Sequence, residues 1–235
     1  MSQPHKYLVV GRQPWNFKHF ETFFAGKNNW YFIDGSSELN LTSLRKINPR
    51  YIFFLHWSDF VPDEITQSYE CVCFHMTDVP YGRGGSPLQN LIVRGHRETK
   101  LTALRMTSEL DAGPFYFKSP LSLEGGTAEE IYQRASVISC KMAIQISKNE
   151  PPTHTQVGKI VNFSRRKPDA SKIPYSTTDL QKVFDHIRMM DADGYPKAFM
   201  EIGNLRIEFS RVALYDGEIK ADARIVVKKD KTKAP

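Results

Sequence analysis

The sequence predicts an α/β fold with a mainly parallel sheet, followed by a small C-terminal helix and β-hairpin. Three observations predict it. Short apolar runs alternate with helix-like segments through the N-terminal part of the chain, which is the pattern of βαβ units. The runs are continuous rather than alternating, as in strands covered on both faces. Near the other end, Asp216-Gly217 separates the runs Leu205–Leu214 and Ile219–Val227, a two-residue hairpin signal.

Taken in order, Lys6–Val10 is a first strand ended by Gly11, and Trp30–Asp34 a second closed by Gly35. Ser37 is placed to cap a helix carrying Leu41, Leu44 and Ile47, which Pro49 stops. Tyr51–Leu55 and Cys71–Phe74 are the third and fourth runs. Leu88–Val93 reads as a short helix, and Leu101–Met106 and Phe115–Lys118 as later strands that pair antiparallel. Thr127 and Glu130 form a capping box. The helix it opens carries Ile131, Ala135, Ile138, Met142 and Ile146 and runs to about Lys148. These elements assign residues 1–149 to one domain. Residues 150–176 are polar and Pro-rich and read as a strap pinned by Val157, Ile160, Val161 and Phe163. Residues 177–235 form a small subdomain, with a second capping box at Thr178–Gln181 opening its helix.

The 235 residues carry a net charge of +6, a mild basic excess that suits a polyanionic ligand without requiring one. The basic run Lys228–Lys233 reads as a solvated tail. No apolar run approaches a membrane span, and the N-terminus lacks the shape of a signal peptide. A cytoplasmic, soluble protein is expected. The three cysteines suit a reducing compartment. Cys71 and Cys73 are read as facing opposite ways, which argues against a bridge or a shared metal, and no metal is expected.

Two side chains stand out. Cys71–Phe74 delivers His75 to a strand end, followed by Tyr81-Gly82-Arg83-Gly84-Gly85-Ser86-Pro87. Downstream, a second apolar run delivers Asp111 to an Asp-Ala-Gly-Pro turn. Together they make an acid/base pair at the ligand-binding edge of an open sheet. Read separately, His75 serves equally as a structural histidine and Asp111 as a turn residue. The glycines do not match a dinucleotide or phosphate-loop fingerprint, and a turn needing positive φ explains them. Trp57-Ser58-Asp59-Phe60 lies past the third run, where its backbone can line a pocket.

The combination is more specific. His75, Asp78-x-Pro80, Gly82-Arg83-Gly84, Ser86-Pro87 and Leu110-Asp111-Ala112-Gly113-Pro114 resemble the formyltransferase family that uses 10-formyltetrahydrofolate. The resemblance covers roughly Tyr51 to Ile146, with a weaker echo through the strap to Phe199. It implies a Rossmann-like formyltransferase core and a catalytic Asn-x-His followed by Asp. His75 and Asp111 match that set, 36 residues apart as in the family, while Cys73 occupies the Asn position. A thiol is a weaker donor to a developing oxyanion than an amide. The phrase His-x-x-Asp-x-Pro-x-Gly-Arg-Gly is similar to a sugar N-formyltransferase subgroup.

By resemblance, 10-formyltetrahydrofolate is the cosubstrate, held by Trp57, Ser58, Asp59, Phe60, Thr107, Glu109, Leu110 and Asp111. Thr77, Tyr81, Arg83, Gly84, Tyr195 and Phe199 are expected to meet the acceptor. That acceptor is expected to be a nucleotide-linked amino sugar, a UDP-linked 4-amino-dideoxy sugar of the pseudaminic acid type. No nucleic acid and no membrane partner are then expected, and the assembly considered is a homodimer. The alternative reading is a methionyl-tRNA formyltransferase, against which stands a C-terminal part too short for a full OB-type barrel. A third reading, carried by the charge alone, is a non-catalytic nucleotide- or RNA-binding module.

Overall fold

A computed structural model describes residues 4–228; the basic run 229–233 lies outside them. The chain divides into two compact units interleaved along the sequence. Among the described residues, 4–87, 98–122 and 132–163 form the first, and 88–97, 123–131 and 164–228 the second.

The first unit is built on a six-stranded sheet. Its strands are β1 (Lys6–Gly11), β2 (Trp30–Asp34), β3 (Pro49–Phe54), β4 (Cys71–His75), β6 (Glu98–Arg105) and β7 (Phe115–Ser122). The order is β2-β1-β3-β4-β6-β7. The first four are parallel, and β6 and β7 are antiparallel additions at one side. The continuous apolar runs are explained by burial on both faces. Leu8, Val10, Ile52, Phe54 and Cys71 enter one core with Ile33, Leu44, Val61 and Ile65. Tyr7, Tyr51, Phe53 and Trp30 point the other way and stack, with Tyr7–Tyr51 at 6.4 Å and Trp30–Phe53 at 5.7 Å. Phe53 and Phe54 are both fully buried, and each such side chain stabilises by about 2–3 kcal/mol.

Helices α1 (Pro14–Phe24), α2 (Leu41–Ile47) and α3 (Asp63–Ser68) connect these strands. α1 has no counterpart among the sequence expectations. It starts at Pro14, whose fixed φ suits a first helical turn, and Asn16 accepts from the Gln13 backbone at 3.0 Å. α2 is capped by Asn40 rather than Ser37: the Asn40 side chain accepts from Ser43 N–H at 3.0 Å, and Ser37 lies too far upstream. After β4, a short strand β5 (Tyr81–Gly84) pairs in parallel with β8 (Val161–Phe163) from the segment after helix α5 (Ala128–Asn149). The Thr127–Glu130 box at the start of α5 is present, with Thr127 N–H donating to Glu130 at 2.6 Å and Glu130 N–H to Thr127 at 3.3 Å. Of the four residues expected to pin the strap, Phe163 is buried, whereas Val157 and Ile160 are exposed.

The second unit contains most of α4 (Pro87–Val93), helix α6 (Leu180–Arg188) and a three-stranded antiparallel sheet. The sheet orders β11 (Glu218–Val227), β10 (Leu205–Tyr215) and β9 (Ala198–Ile202). The expected hairpin is β10–β11, turning at Asp216-Gly217 with Gly217 at φ +73°; β9 adds a third strand. α6 is capped by Asp179, not Thr178, because the Asp179 carboxylate accepts from Gln181 and Lys182 N–H. Arg188 is fully buried in this unit, donating to Asp185 at 2.6 Å and to the Leu123 carbonyl at 2.8 Å.

Candidate functional site

His75 is the last residue of β4 and is buried. Because β6 is antiparallel, Thr102 lies beside His75 while Met106 reaches Cys71 at the opposite end of β4. The segment after β6 therefore starts far from His75 and curls back over the sheet. Asp111 caps this curl with φ +52°, a left-handed conformation that Asp tolerates better than most residues. Its Oδ1 ends 3.5 Å from His75 Nδ1, with both side chains about nine-tenths buried. The two side chains thus meet at the carboxyl end of β4. The turn is squeezed against β6: a Cβ on Gly113 would lie 2.0 Å from the Arg105 carbonyl.

Strand β5 grips both groups. The Gly82 carbonyl lies 2.8 Å from His75 Nε2. A carbonyl only accepts, so Nε2 carries a proton. The neutral ring therefore presents its lone pair at Nδ1, toward Asp111. Gly84 N–H donates to Asp111 Oδ2 at 2.9 Å. Both glycines have positive φ, and a Cβ on Gly84 would approach the Phe163 carbonyl to 2.4 Å. A proton taken up at Nδ1 would make an imidazolium held between the Gly82 carbonyl and the Asp111 carboxylate. The pair is built as a proton acceptor.

Cys73 shares the face of β4 with His75 and Cys71, since side chains two apart in a strand point the same way. The expectation that Cys71 and Cys73 face opposite sides is therefore corrected; both pack against one core cluster, and both are free thiols. Burial, then the Asp111 charge, pushes the Cys73 thiol up, so it stays neutral at ordinary pH. Among the described residues no group of three or more His, Cys, Asp or Glu is arranged to hold a metal, and no helix is long and apolar enough to cross a membrane.

The residues expected to meet an acceptor divide. Thr77 is fully buried and donates to the Gly82 carbonyl at 3.1 Å. Tyr81 packs edge-on to Phe163 at 5.4 Å. Arg83 directs its guanidinium to Gln156, at 3.0 and 2.9 Å. Gly84 is engaged by Asp111. These four form the scaffold around the pair and not a free acceptor surface. Tyr195 and Phe199 belong to the second unit, where Phe199 is buried under the Arg206 guanidinium at 3.6 Å.

Of the expected cosubstrate residues, Trp57 is half-buried against Phe54, and its indole Nε1 is buried without a partner. Ser58 is exposed, Asp59 is paired with Arg12 at 2.6 Å, and Phe60 is 77% exposed. Thr107 donates to the Glu109 carbonyl at 3.1 Å, the Glu109 carboxylate lies 3.7 Å from Arg83, and Leu110 is 71% exposed. A cleft of about 290 Å³ adjoins this segment, lined by Met106, Thr107, Ser108 and Pro114 with Thr66, Gln67 and Arg105.

Sequence reading missed Gln156. It lies in the polar strap, and nothing in its neighbours marks it. Its Nε2 donates to the carbonyls of Asp111 at 2.8 Å and Gly113 at 2.7 Å.

Residues 168–226 match the family model described as the C-terminal domain of methionyl-tRNA formyltransferase. A solved structure described as methionyl-tRNA formyltransferase from Clostridium thermocellum is 42% identical with a TM-score of 0.91, covering 95% of this chain and 100% of that one. A methionyl-tRNA formyltransferase from Thermodesulfovibrio yellowstonii is 22% identical over 80% of this chain and 64% of its own length. The chain thus spans less than two thirds of the curated relatives it matches. A 4-N formyltransferase from Francisella tularensis is more distant, at 17% identity and TM-score 0.65, over 97% of this chain and 100% of that one. That ranking corrects three expectations: the placement in the sugar subgroup, the nucleotide-linked amino sugar as partner, and the exclusion of nucleic acid. The motif Gly82-Arg83-Gly84 is engaged with His75, Gln156 and Asp111, contacts that carry no information about the acceptor. At 42% identity over the whole of the Clostridium thermocellum chain, this protein belongs to the formyltransferase family.

Proposed function

We propose that this chain transfers a formyl group from 10-formyltetrahydrofolate to the amino group of methionine carried on tRNA. The full-length likeness to a protein described as methionyl-tRNA formyltransferase carries the reading. The net charge of +6 agrees with a polyanionic partner.

10-Formyltetrahydrofolate supplies the formyl carbon when bound. The orphaned Trp57 Nε1 and the exposed apolar side chains of Phe60 and Leu110 fit a flat heteroaromatic ligand that accepts a hydrogen bond. An amine attacks only after losing its ammonium proton. His75 takes that proton at Nδ1, where the lone pair is presented. The Gly82 carbonyl and Asp111 then hold the imidazolium; as the new C–N bond forms the amine's second proton is lost to water, and Nδ1 returns the first to the nitrogen whose bond to the formyl carbon breaks. Cys73 contributes no nucleophile, because its thiol is held neutral.

The test is incubation with 10-formyltetrahydrofolate and charged initiator methionyl-tRNA, followed by deacylation and mass measurement. Formylmethionine is expected. No formylmethionine, with formylation of a different amine in a competing panel, overturns the reading.

A further inference from the structure

We propose that Gln156 is a positioning residue that holds Asp111 against His75 through the backbone, locked in turn by Arg83. The proposal rests on the formyl-transfer reading above and adds to it a residue outside the matched motifs.

The geometry closes a ring. Gln156 Nε2 donates to two carbonyls of one turn, Asp111 at 2.8 Å and Gly113 at 2.7 Å. Its Oε1 accepts from Arg83 Nε at 3.0 Å and Nη2 at 2.9 Å. Both ends of the amide are thus committed, which fixes its orientation. Arg83 stands between the two glycines of β5 that grip the pair: Gly82 accepts from His75 and Gly84 donates to Asp111. Three consecutive residues of β5, Gly82 to Gly84, therefore control the His75 ring, the Asp111 carboxylate and, through Gln156, the Asp111 backbone. The clamp acts on the residue that turns the chain, Asp111 at φ +52°, and holds both carbonyls that flank Ala112. Gln156 itself is delivered by the segment that continues into β8, and β8 pairs with β5. Losing the amide releases both carbonyls at once and lets the carboxylate drift from Nδ1. A displacement near 1 Å at a reacting pair costs about 100-fold in rate.

The experiment compares Gln156→Leu, Asp111→Asn and the double variant in the full chain. Gln156→Leu is expected to lower kcat about 100-fold with KM for either substrate nearly unchanged. In the Asp111→Asn background the same substitution is expected to change kcat less than about two-fold, because its effect passes through Asp111. Gln156→Glu keeps an oxygen for Arg83 but lacks the donor. It is expected to lose as much as Gln156→Leu, and it carries the cycle if the leucine variant does not fold. Full additivity with Asp111→Asn, or near-wild-type kcat in Gln156→Glu, overturns the proposal. A second readout needs no turnover: the ¹⁵N resonance of His75 Nδ1 should move in the same direction in Gln156→Leu and Asp111→Asn. An unmoved resonance in Gln156→Leu overturns the clamp even if transfer to tRNA is confirmed. A shared shift with no transfer to tRNA by the wild type sinks the functional reading alone.

Discussion

Gly84 and Asp111 are joined by a 2.9 Å hydrogen bond from backbone N–H to carboxylate, across 27 residues of chain. It leaves Oδ1 to face His75. One oxygen of the carboxylate is therefore held by main chain while the other faces the imidazole, and substitutions can separate its charge from its placement.

Asp111→Asn keeps a residue type that tolerates the left-handed conformation but removes the charge. Turnover is expected to fall by about 10²–10⁴-fold with the melting temperature little changed. His75→Asn is expected to be as severe. Steady-state kinetics beside thermal melts check both. An active His75→Asn enzyme would remove the imidazole from the mechanism.

Gly84→Ala and Gly113→Ala each force a Cβ onto a backbone carbonyl, at 2.4 Å from Phe163 and 2.0 Å from Arg105. Backbone cannot swing aside as a side-chain tip does. Each is expected to destabilise by about 2–4 kcal/mol, with Gly84→Ala adding the strain of its φ of +103°. Chemical denaturation midpoints measure this. Gly35→Ala is the control: it has positive φ but open space around it, and should cost only the conformational strain.

Cys73→Ala is expected to retain turnover within about ten-fold, far above the His75 and Asp111 variants, since a neutral thiol is a weak donor. Alkylation of Cys73 by iodoacetamide near pH 7 should be slow, because burial and the Asp111 charge hold the thiol up. Rapid labelling at Cys73, followed by peptide mass mapping, would contradict that account.

Acid stability should depend on His56 and Glu70. Burial pushes His56 down to about 4. The unfolded chain then binds the extra proton first, so stability is full above about pH 6.5 and falls as pH drops toward 4, by up to about 3 kcal/mol. For Glu70, burial works to raise its pKa, but hydrogen bonds from Tyr116 and Arg50 outweigh it and hold it below its ordinary value. Its contribution is present above the unfolded carboxylate range and is lost as pH falls through the depressed folded value. Urea midpoints from pH 8 to pH 3 should therefore fall in two stages. His56→Gln should flatten the upper stage and Glu70→Gln the lower.

The Arg12–Asp59 pair, at 2.6 Å, is half exposed on the Arg12 side. Asp59→Asn is accordingly expected to leave stability within about 1 kcal/mol, which thermal melts at low and high salt can verify.

Local order was readable in the linear chain. The runs Tyr7–Val10, Tyr51–Leu55 and Cys71–Phe74 are apolar on every residue because helices and aromatic layers cover both faces of their sheet, and that demand is written one position at a time. The Thr127–Glu130 box and the Asp216-Gly217 turn are likewise short-range chemistry. His75 stood out because it sits at the end of such a run, and Asp111 because it opens an Asp-Ala-Gly-Pro turn downstream. Where several short-range signals compete, the reading slipped: Asn40 and Asp179 cap helices assigned to Ser37 and Thr178, and α1 was overlooked beside its own Pro14. What could not be read was who meets whom. The meeting of His75 with Asp111 requires β6 to run antiparallel and its following loop to double back. Gln156 reaches the turn from a segment that continues into β8, which pairs with β5, and Arg83 meets Gln156 73 positions away. Such contacts join residues 27 to 73 positions apart, and no side-chain periodicity records them. The choice of acceptor is equally silent in the motifs, since Gly82, Arg83 and Gly84 are spent on contacts with His75, Gln156 and Asp111.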